Sequence, residues 1–361
     1  MDRSRWGRSP RFLSAILLLT RDLALCYASR RQKSEEEVKH SPMQLSSIPK
    51  PDGYTFYFIG VTTGQSSSRR VFPLWMEALG RQEVSLVGID VEIHAAPNRY
   101  RQIVTDIKRE PLALGALVTT HKIDLLAAAA DLFDGLGPYA RATQEVSSIA
   151  KDEGKLIGRA TDPVAGGLSM DAILGQNYFG RTGGELLMLG AGGSAVALTL
   201  HLMQKAKAAD RPRRIVVVNR SAPRLARLKE MVGRNAANGA RDIEFEFIQN
   251  NLAPRNDEIL AGLSPGSVVV NATGMGKDTP GSPLTDAALF PLNGVVWELN
   301  YRGELDFKRQ AQAQAPARAL TVADGWDYFV HGWSQVISHV LHEEIDDAMF
   351  ARLSELAASA R

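Results

Sequence analysis

Apolar runs of strand length alternate with amphipathic segments of helical length from Tyr54 onward. Such alternation is typical of α/β proteins with largely parallel sheets. In the first part of the chain, strands are predicted at 54–61, 84–93 and 113–118, and helices at 71–79, 98–108 and 122–133. These segments predict one compact α/β unit.

A second set of strands follows a predicted connecting helix at 166–174. The strands are predicted at 186–189, 215–218, 243–248, 268–270 and 295–298, with a helix at 195–207 after the first of them. The tail at 326–360 has a helical pattern, and we expect it to return to the first unit.

The turn after the strand at 186–189 is rich in small residues. It reads Gly190-Ala191-Gly192-Gly193-Ser194-Ala195, a Gly-x-Gly-x-x-Ala pattern that leads into the helix. Glycines there let backbone N–H groups at a helix N-terminus approach a pyrophosphate without interference from Cβ atoms. The pattern therefore predicts a dinucleotide site, although Gly-rich turns also cap ordinary βα units.

The end of the next strand indicates which dinucleotide binds. It reads Asn219-Arg220-Ser221, where an NAD-binding protein usually has Asp or Glu for the ribose 2′-hydroxyl. A guanidinium at this point favours a 2′-phosphate, so the predicted cofactor is NADP(H). The alternative is an arginine that only meets solvent.

Composition narrows the possible chemistry. The chain has 361 residues, 45% of them hydrophobic, which is enough for two domains with cores of their own. The single cysteine, Cys26, excludes an internal disulfide framework and multi-cysteine metal sites, so no metal is predicted. No apolar run reaches the roughly 18 to 20 residues that span a bilayer. We expect neither a membrane nor a nucleic-acid partner, because no basic face with interleaved aromatic residues is present.

The first fifty residues differ from the rest in charge. They carry ten Lys or Arg against five Asp or Glu, whereas residues 51–361 carry 32 against 35. We interpret residues 1–50 as an unfolded leader, or as the product of an upstream start with Met43 as the natural beginning. A signal or transit peptide is the alternative. The expected location is the cytoplasm, or an organelle if the leader targets one.

Short motifs along the chain resemble those of the shikimate dehydrogenase family, in the same order and at nearly the same spacings over about residues 54–342. The matching segments are GVTTGQSSS (60–68), GALVTTHK (115–122), EVSS (145–148), LIGRATD (156–162), VNATGM (270–275), NY (300–301) and ADG (323–325). This resemblance implies an NADP(H)-dependent dehydrogenase acting on a CH–OH group, with a place in the shikimate pathway of aromatic amino acid biosynthesis.

The resemblance also implies roles for single residues. Lys122 and Asp162 would be the catalytic pair, because hydride transfer to a carbonyl carbon leaves an alkoxide that an ammonium can protonate. The implied substrate-binding residues are Ser66, Ser68, Thr119, Ser147, Ser148 and Tyr301. The implied cofactor-binding residues, beyond Gly190 to Ala195 and Asn219 to Ser221, are Asn271, Ala272, Thr273 and Gly325.

Other interpretations of these residues stay open at this point. Lys122 could be a solvated residue at a helix start, and Asp162 could be a helix N-cap. Ser66 to Ser68 could form an ordinary turn. His121 is interpreted as a capping or packing residue, and Trp326, Tyr328 and Trp333 as core.

The motifs depart from the family pattern where the substrate would be recognised. Leu117, Ser147 and Ala160 stand in place of Asn, and Gly332 falls where the family has Gln. A site that loses hydrogen-bonding groups changes its substrate preference, because discrimination depends on them. The physiological substrate is therefore left open between 3-dehydroshikimate/shikimate and a related acid.

We predict an α/β protein of two domains. Residues 51–162, completed by helices within 326–361, would form the substrate-binding domain, and residues 163–325 a Rossmann-type doubly wound NADP-binding domain. The expected partner is a small carboxylic acid, and the expected state is a monomer or homodimer. The alternative function is a module of the same fold that senses a dinucleotide or carboxylate without turnover.

Overall fold

A computed structural model describes residues 48–236, 242–277 and 279–361, and the strands in these ranges form two six-stranded sheets. The predicted leader lies outside the described residues up to position 47. The strands of the first sheet are β1 (Thr55–Gly60), β2 (Ser85–Asp90), β3 (Ala113–Val118), β4 (Gly135–Leu136), β5 (Ser148–Asp152) and β6 (Lys155–Arg159). Those of the second are β7 (Leu186–Leu189), β8 (Arg214–Asn219), β9 (Glu244–Gln249), β10 (Val268–Asn271), β11 (Val295–Glu298) and β12 (Thr321–Ala323).

The first sheet is mixed, with the strand order β2-β1-β3-β5-β6-β4. Strand β1 pairs in parallel with β2 and β3, whereas β5 runs antiparallel to β3 and to β6. The hairpin between β5 and β6 turns at Glu153 and Gly154, both of which have positive φ angles. Two positive φ angles match the right-handed twist of a two-residue hairpin loop.

The second sheet is entirely parallel, with the order β12-β11-β10-β7-β8-β9. This is the doubly wound Rossmann order, in which the direction of winding reverses between β7 and β10. Ligands of such sheets bind at the carboxyl ends of the strands beside this reversal. The predicted fold class is therefore confirmed.

Twelve helices lie in the described part of the chain. They are α1 (Ser68–Ala78), α2 (Pro97–Arg109), α3 (Lys122–Ala129), α4 (Pro138–Thr143), α5 (Asp162–Leu174), α6 (Tyr178–Thr182), α7 (Gly193–Gln204), α8 (Ala222–Asn235), α9 (Ala253–Ala261), α10 (Asp306–Arg318), α11 (Trp326–Leu341) and α12 (Asp347–Ser359). None of them combines the length and apolarity that a membrane span requires.

The last two helices return to the first part of the chain, where α11 packs on the first sheet and α12 packs on α1. Side chains of α11, including Trp333 and Ile337, are buried in one apolar cluster with Phe56 of β1. The indole Nε1 of Trp75 in α1 donates a hydrogen bond of 2.8 Å to the carbonyl of Leu353 in α12. The chain end thus covers the sheet with which the described residues begin.

Residues 48–50 contact the first sheet and its helices, although the predicted domain begins at residue 51. Ile48 is buried, and its backbone N–H donates to Asp106 at 3.3 Å. The hydroxyl of Tyr57 donates to the carbonyl of Pro49 at 2.7 Å. Residues 48–50, assigned to the leader from the sequence, therefore contact the first sheet and its helices.

Candidate active site

A cavity of about 770 Å³ opens at the carboxyl ends of strands from both sheets. Its lining includes the predicted pair Lys122 and Asp162 from the first part of the chain. It also includes Ser194, at the start of α7, and Gly325, at the start of α11. One cavity thus brings together residues predicted for catalysis and residues predicted for cofactor binding.

Lys122 is the first residue of α3 and follows a tight turn after β3. The backbone N–H of Thr119 donates to the carbonyl of Ile59 at 3.0 Å, and that of Lys122 to the carbonyl of Thr119 at 3.3 Å. The carbonyl of Lys122 in turn accepts the N–H of Val146 at 3.1 Å. Bonds to two other segments therefore hold the backbone of Lys122 in place.

Asp162 begins α5, and its carboxylate forms an ion pair with the Lys122 ammonium. The preceding residue, Thr161, donates its N–H to the hydroxyl of Ser147 at 2.8 Å, and the hydroxyls of Ser147 and Thr161 lie 2.9 Å apart. The N-cap interpretation of Asp162 is wrong, because the N-cap position belongs to Thr161. Ser147 lines the cavity and also fixes the start of α5.

A second carboxylate stands beside the pair. Glu145 is fully buried, and neither of its carboxylate oxygens has a hydrogen-bond partner among the described residues. Burial raises the pKa of Glu145 to about 7, although Lys122 acts to lower it. Burial lowers the pKa of Lys122, but the negative charges of Asp162 and Glu145 outweigh this, so its pKa is raised overall. Lys122 therefore carries its proton at neutral pH.

Of the two serines implied for carboxylate binding, the structure brings only Ser66 to the cavity. Ser68 is fully buried at the start of α1, and its hydroxyl donates to the Ser66 hydroxyl at 2.7 Å. The Ser66 oxygen also accepts the N–H of Ser68 at 3.3 Å. With its oxygen already accepting, Ser66 keeps its own O–H proton for another acceptor.

The other implied substrate residues differ in their surroundings. Thr119 lines the cavity, and its hydroxyl donates to the carbonyl of Ile59 at 3.1 Å. Tyr301 also lines it, with its ring 4.7 Å from that of Phe329. Ser148 does not: it is buried on the other side of its strand, where its hydroxyl lies 2.7 Å from Nδ1 of His339.

The predicted dinucleotide turn follows β7 at the reversal of the second sheet. Gly190 has φ +115°, and a Cβ there would lie 2.6 Å from the carbonyl oxygen of Ala272, so only glycine fits. Gly192 is the N-cap of α7, and a Cβ on it would meet no atom within 4 Å. A Cβ on Gly193 would lie 3.0 Å from Oε2 of Glu145. The bare start of this helix is a suitable place for a pyrophosphate.

The neighbouring turn after β10 is fixed by its own side chains. Asn271 is buried, and its Nδ2 donates to Glu298 at 2.6 Å while its Oδ1 accepts from the N–H and hydroxyl of Thr273. Burial raises the pKa of Glu298 to about 7, against hydrogen bonds from Asn300 and Asn271. The Asn271 side chain therefore supports the turn and does not point to the cavity. The backbone N–H of Ala272 donates to the carbonyl of Leu189 at 2.7 Å and so joins this turn to the sheet.

Arg220 follows β8 at the same edge of the second sheet. It is exposed, and its side chain has no hydrogen bond or ion pair within the described residues. Asn219 donates from Nδ2 to the carbonyl of Ser221 at 3.3 Å, which closes the turn. The guanidinium is thus available to an external anion.

Three residues of this region received no functional role from the sequence. Glu145 stands in a quoted motif but received no role, and Arg302 and Tyr328 both line the cavity. The Tyr328 hydroxyl donates to Ser194 at 3.4 Å, and burial raises its pKa well above the usual value. The core interpretation holds for Trp333, whereas Tyr328 joins α11 to the start of α7.

His121 packs in the interior, as the sequence indicated. It is buried, with its Nδ1 3.1 Å from the hydroxyl of Tyr100, and burial lowers its pKa. No group of three His, Cys, Asp or Glu within residues 48–236, 242–277 and 279–361 is placed to hold a metal ion.

No protein-family model matches the sequence. Single relatives do: the NADP(+)-dependent shikimate dehydrogenase of Symbiobacterium thermophilum is 30% identical over 237 residues, which cover 65% of this chain and 72% of that protein. The chain belongs to the shikimate dehydrogenase family. A second relative, from Salinibacter ruber, is 31% identical over 222 residues, covering 60% of this chain and 69% of its own.

Solved structures support the family's fold for this chain. Quinate dehydrogenase from Corynebacterium glutamicum, in complex with NAD, aligns with a TM-score of 0.65 at 20% identity, covering 85% of this chain and 99% of that one. Shikimate 5-dehydrogenase from Thermus thermophilus, in complex with NADP(H) and shikimate, aligns with a TM-score of 0.59 at 23% identity, covering 85% and 99%.

The buried Glu145 predicts a pH-dependent stability. Its folded-state pKa of about 7 lies above the ordinary value of 4.5, so its contribution is fully present below the ordinary value and is lost as the pH rises through 7. When the pH rises from about 5.5 to 8.5, the free energy of unfolding of the unmutated protein should fall by about 2 kcal/mol more than that of Glu145→Gln. Urea unfolding at both pH values measures this.

Glu185→Gln is the matched control. Glu185 is also buried, but it pairs with Arg214 at 3.2 Å, so its removal should destabilise the protein at the higher pH. If Glu145→Gln behaves like Glu185→Gln, the Glu145 carboxylate has a partner and this account of its pKa is wrong.

Proposed function

We propose that the protein is an NADP(H)-dependent oxidoreductase of the shikimate dehydrogenase type, interconverting a hydroxy acid and a keto acid. The observation that carries the proposal is the Lys122–Asp162 ion pair, which faces the same cavity as the start of α7. The names of the relatives, which are NADP(+)-dependent shikimate dehydrogenases, support the same reaction class.

The dinucleotide turn fits the cofactor that this function requires. Gly190 and Gly192 leave the backbone open at the N-terminus of α7, where the helix dipole and free N–H groups favour a pyrophosphate. Arg220 would pair with the 2′-phosphate, and Gly325 and Thr273 would border the nicotinamide end. When bound, NADPH supplies the hydride.

Lys122 would act as the acid that protonates the developing alkoxide. Its ammonium is kept protonated by the two neighbouring carboxylates, and the ion pair with Asp162 fixes where it points. Ser66, with its free hydroxyl proton, would donate to the substrate carboxylate. Residues 51–162 with the C-terminal helices would form the substrate-binding domain, and residues 163–325 the cofactor-binding domain.

Turnover separates this proposal from a sensing module of the same fold. The loss of NADPH absorbance is followed with a panel of cyclic and open-chain keto acids, alongside calorimetric binding of NADPH and of the same acids. Oxidation of NADPH that depends on both a keto acid and Lys122 supports the enzyme. Binding of both ligands without any turnover would support the sensing module.

Arg220 should set the cofactor preference. We expect NADPH to bind at least about tenfold more tightly than NADH, because a charge-assisted pair with a phosphate contributes roughly 1.5 to 3 kcal/mol. Arg220→Ala should narrow this ratio, measured by calorimetry. Arg213→Ala, an exposed arginine just before the amino end of the same strand, is the control and should leave the ratio unchanged. Equal affinities of the unmutated protein for both cofactors would contradict the assignment.

Lys122 should be required for turnover and not for cofactor binding. Lys122→Ala should lower kcat by about 10² to 10⁴-fold, the usual effect of removing one positioned acid. The dissociation constant of NADPH should change by less than about threefold. Lys122→Arg should not restore kcat, because a guanidinium holds its proton too tightly.

Lys205 provides a matched control for Lys122. It also forms an ion pair, with Asp171 at 2.5 Å, but both residues line a separate cavity. Lys205→Ala should keep kcat close to that of the unmutated protein. If Lys122→Ala keeps most of its activity as well, the acid is another group.

A further inference from the structure

Part of the cavity wall is apolar. We call Phe58, Leu117, Trp333 and Val336 the apolar wall: all four line the cavity and belong to the same buried cluster. Phe58 and Leu117 are register partners in β1 and β3, and the ring of Trp333 meets that of Phe58 edge-on at a centroid distance of 5.7 Å. The hydrophobic core of the first sheet thus continues to the surface of the cavity.

A glycine leaves additional space beside this wall. Gly332 lies in the middle of α11 and lines the cavity, and a Cβ on it would meet no atom within 4 Å. A glycine inside a helix destabilises it relative to alanine, and here no close contact requires one. The position therefore leaves room for a ligand next to Trp333.

Several hydroxyl groups that line the cavity are already engaged within the protein. Thr63 donates to Asp90 at 2.6 Å, and Thr119 donates to a main-chain carbonyl at 3.1 Å. Ser147 and Thr161 bond to each other at 2.9 Å. A ligand hydroxyl placed against these four residues would meet donors that are already engaged, and an unpaired buried hydroxyl costs free energy.

The surface around Ser66 is cationic and polar, unlike the apolar wall. The Arg302 guanidinium donates from Nη1 to the carbonyl of Gln65 at 3.2 Å, which holds it next to Ser66 at the cavity. Among the described lining residues, Lys122, Lys277 and Arg302 are cationic, whereas Asp162 alone is anionic. A guanidinium beside a free hydroxyl proton suits a carboxylate.

From these contacts we propose that the substrate is a keto or hydroxy acid with an apolar body, bound by its carboxylate at Ser66 and Arg302 and by its body on the apolar wall. This rests on the proposed function, which supplies the redox step. In that step bound NADPH would supply the hydride that reaches the carbonyl carbon, and Lys122 would give the proton to the oxygen, so that a C=O becomes a CH–OH and the cofactor leaves as NADP⁺.

Two keto acids with the same ring size test the body of the substrate. 3-Oxocyclohexanecarboxylate lacks the two hydroxyl groups and the ring double bond of 3-dehydroshikimate but presents a ring carbonyl and a carboxylate. Its kcat/KM should exceed that of 3-dehydroshikimate by at least about tenfold, the effect of leaving one hydroxyl unpaired. A ratio that favours 3-dehydroshikimate would overturn the inference and leave the proposed function intact.

Binding keeps the two proposals distinguishable. In the presence of saturating NADP⁺, calorimetry compares 3-hydroxycyclohexanecarboxylate with shikimate. If neither keto acid is turned over, the proposed function fails, and at least about tenfold tighter binding of the apolar acid still supports the substrate class. Equal binding, or tighter binding of shikimate, would reject it.

Substitutions in the apolar wall and at Gly332 should change the relative kcat/KM for different keto acids in defined directions. Leu117→Asn should shift the kcat/KM ratio toward 3-dehydroshikimate by about tenfold. Gly332→Leu should lower kcat/KM for the 5-methyl derivative of 3-oxocyclohexanecarboxylate more than for the parent compound, because the side chain fills the space beside Trp333. If both variants fold and neither changes the kcat/KM ratio of its pair of substrates, the assignment of the wall is contradicted.

Gly233→Leu is the matched control for the glycine. Gly233 also lies in a helix, α8, with no atom within 4 Å of a Cβ, but it is exposed and outside the cavity lining. Its melting temperature reports the effect of leucine in a helix, and its substrate preference should stay that of the unmutated protein. If Gly332→Leu does not fold, Gly332→Ala takes its place.

The contact between Arg302 and the substrate carboxylate is tested by removing the charge of the guanidinium or that of the carboxylate. Arg302→Gln should raise KM for 3-oxocyclohexanecarboxylate by about tenfold or more, and should not change KM for the corresponding carboxamide. The unmutated protein should prefer the acid. Equal effects of the substitution on the acid and the carboxamide would show that Arg302 does not contact the carboxylate.

Discussion

Lys122 carries the positive charge that the two buried carboxylates around it require. Asp162 and Glu145 come from different segments of the chain, and removing such groups from water costs several kcal/mol unless a partner compensates. Asp162 has that partner in the ion pair, whereas Glu145 has no hydrogen bond from the described residues, and burial raises its pKa instead. The ends of β3 and β6 and the start of α5 must therefore meet at one point, and the cavity forms where they do.

The inner strands were largely predictable from the sequence because almost all of their residues are buried and read as short apolar runs. Strand β3 matches its predicted range at both ends, and the five strands predicted for the second sheet differ by at most one residue at either end, whereas the short edge strand β12 was not predicted. The hairpin of β5 and β6 was missed because its residues were interpreted only as motifs. Its signal is the Glu153-Gly154 turn between two alternating runs. Helix α3 was predicted to reach residue 133 but ends at Ala129, where the chain continues as a short 3-10 turn.

The sequence indicated which side chains would meet where each follows a strand end, as Lys122 follows β3 and Asp162 follows β6, and their catalytic roles stay predictions. It did not indicate the surroundings of Ser148 or Glu145. Lys122 and Asp162 meet as expected. Ser148 points to His339, since alternation along β5 sends neighbouring residues to opposite faces. Glu145 could not be assigned from sequence, because only the folded chain brings its carboxylate against Gly193, forty-eight positions later.

Helix α11 links the two functions of the cavity. At its start, Gly325 passes so close to the carbonyl of Leu299 that a Cβ would lie 2.0 Å from it, and Tyr328 one turn later reaches Ser194. Trp333, further along the same helix, forms part of the apolar wall. Because a helix advances by a fixed 1.5 Å per residue, the cofactor end and the substrate wall keep a constant separation. Replacing side chains on this helix can therefore change the wall of the cavity without displacing Lys122 and Asp162, which begin other helices.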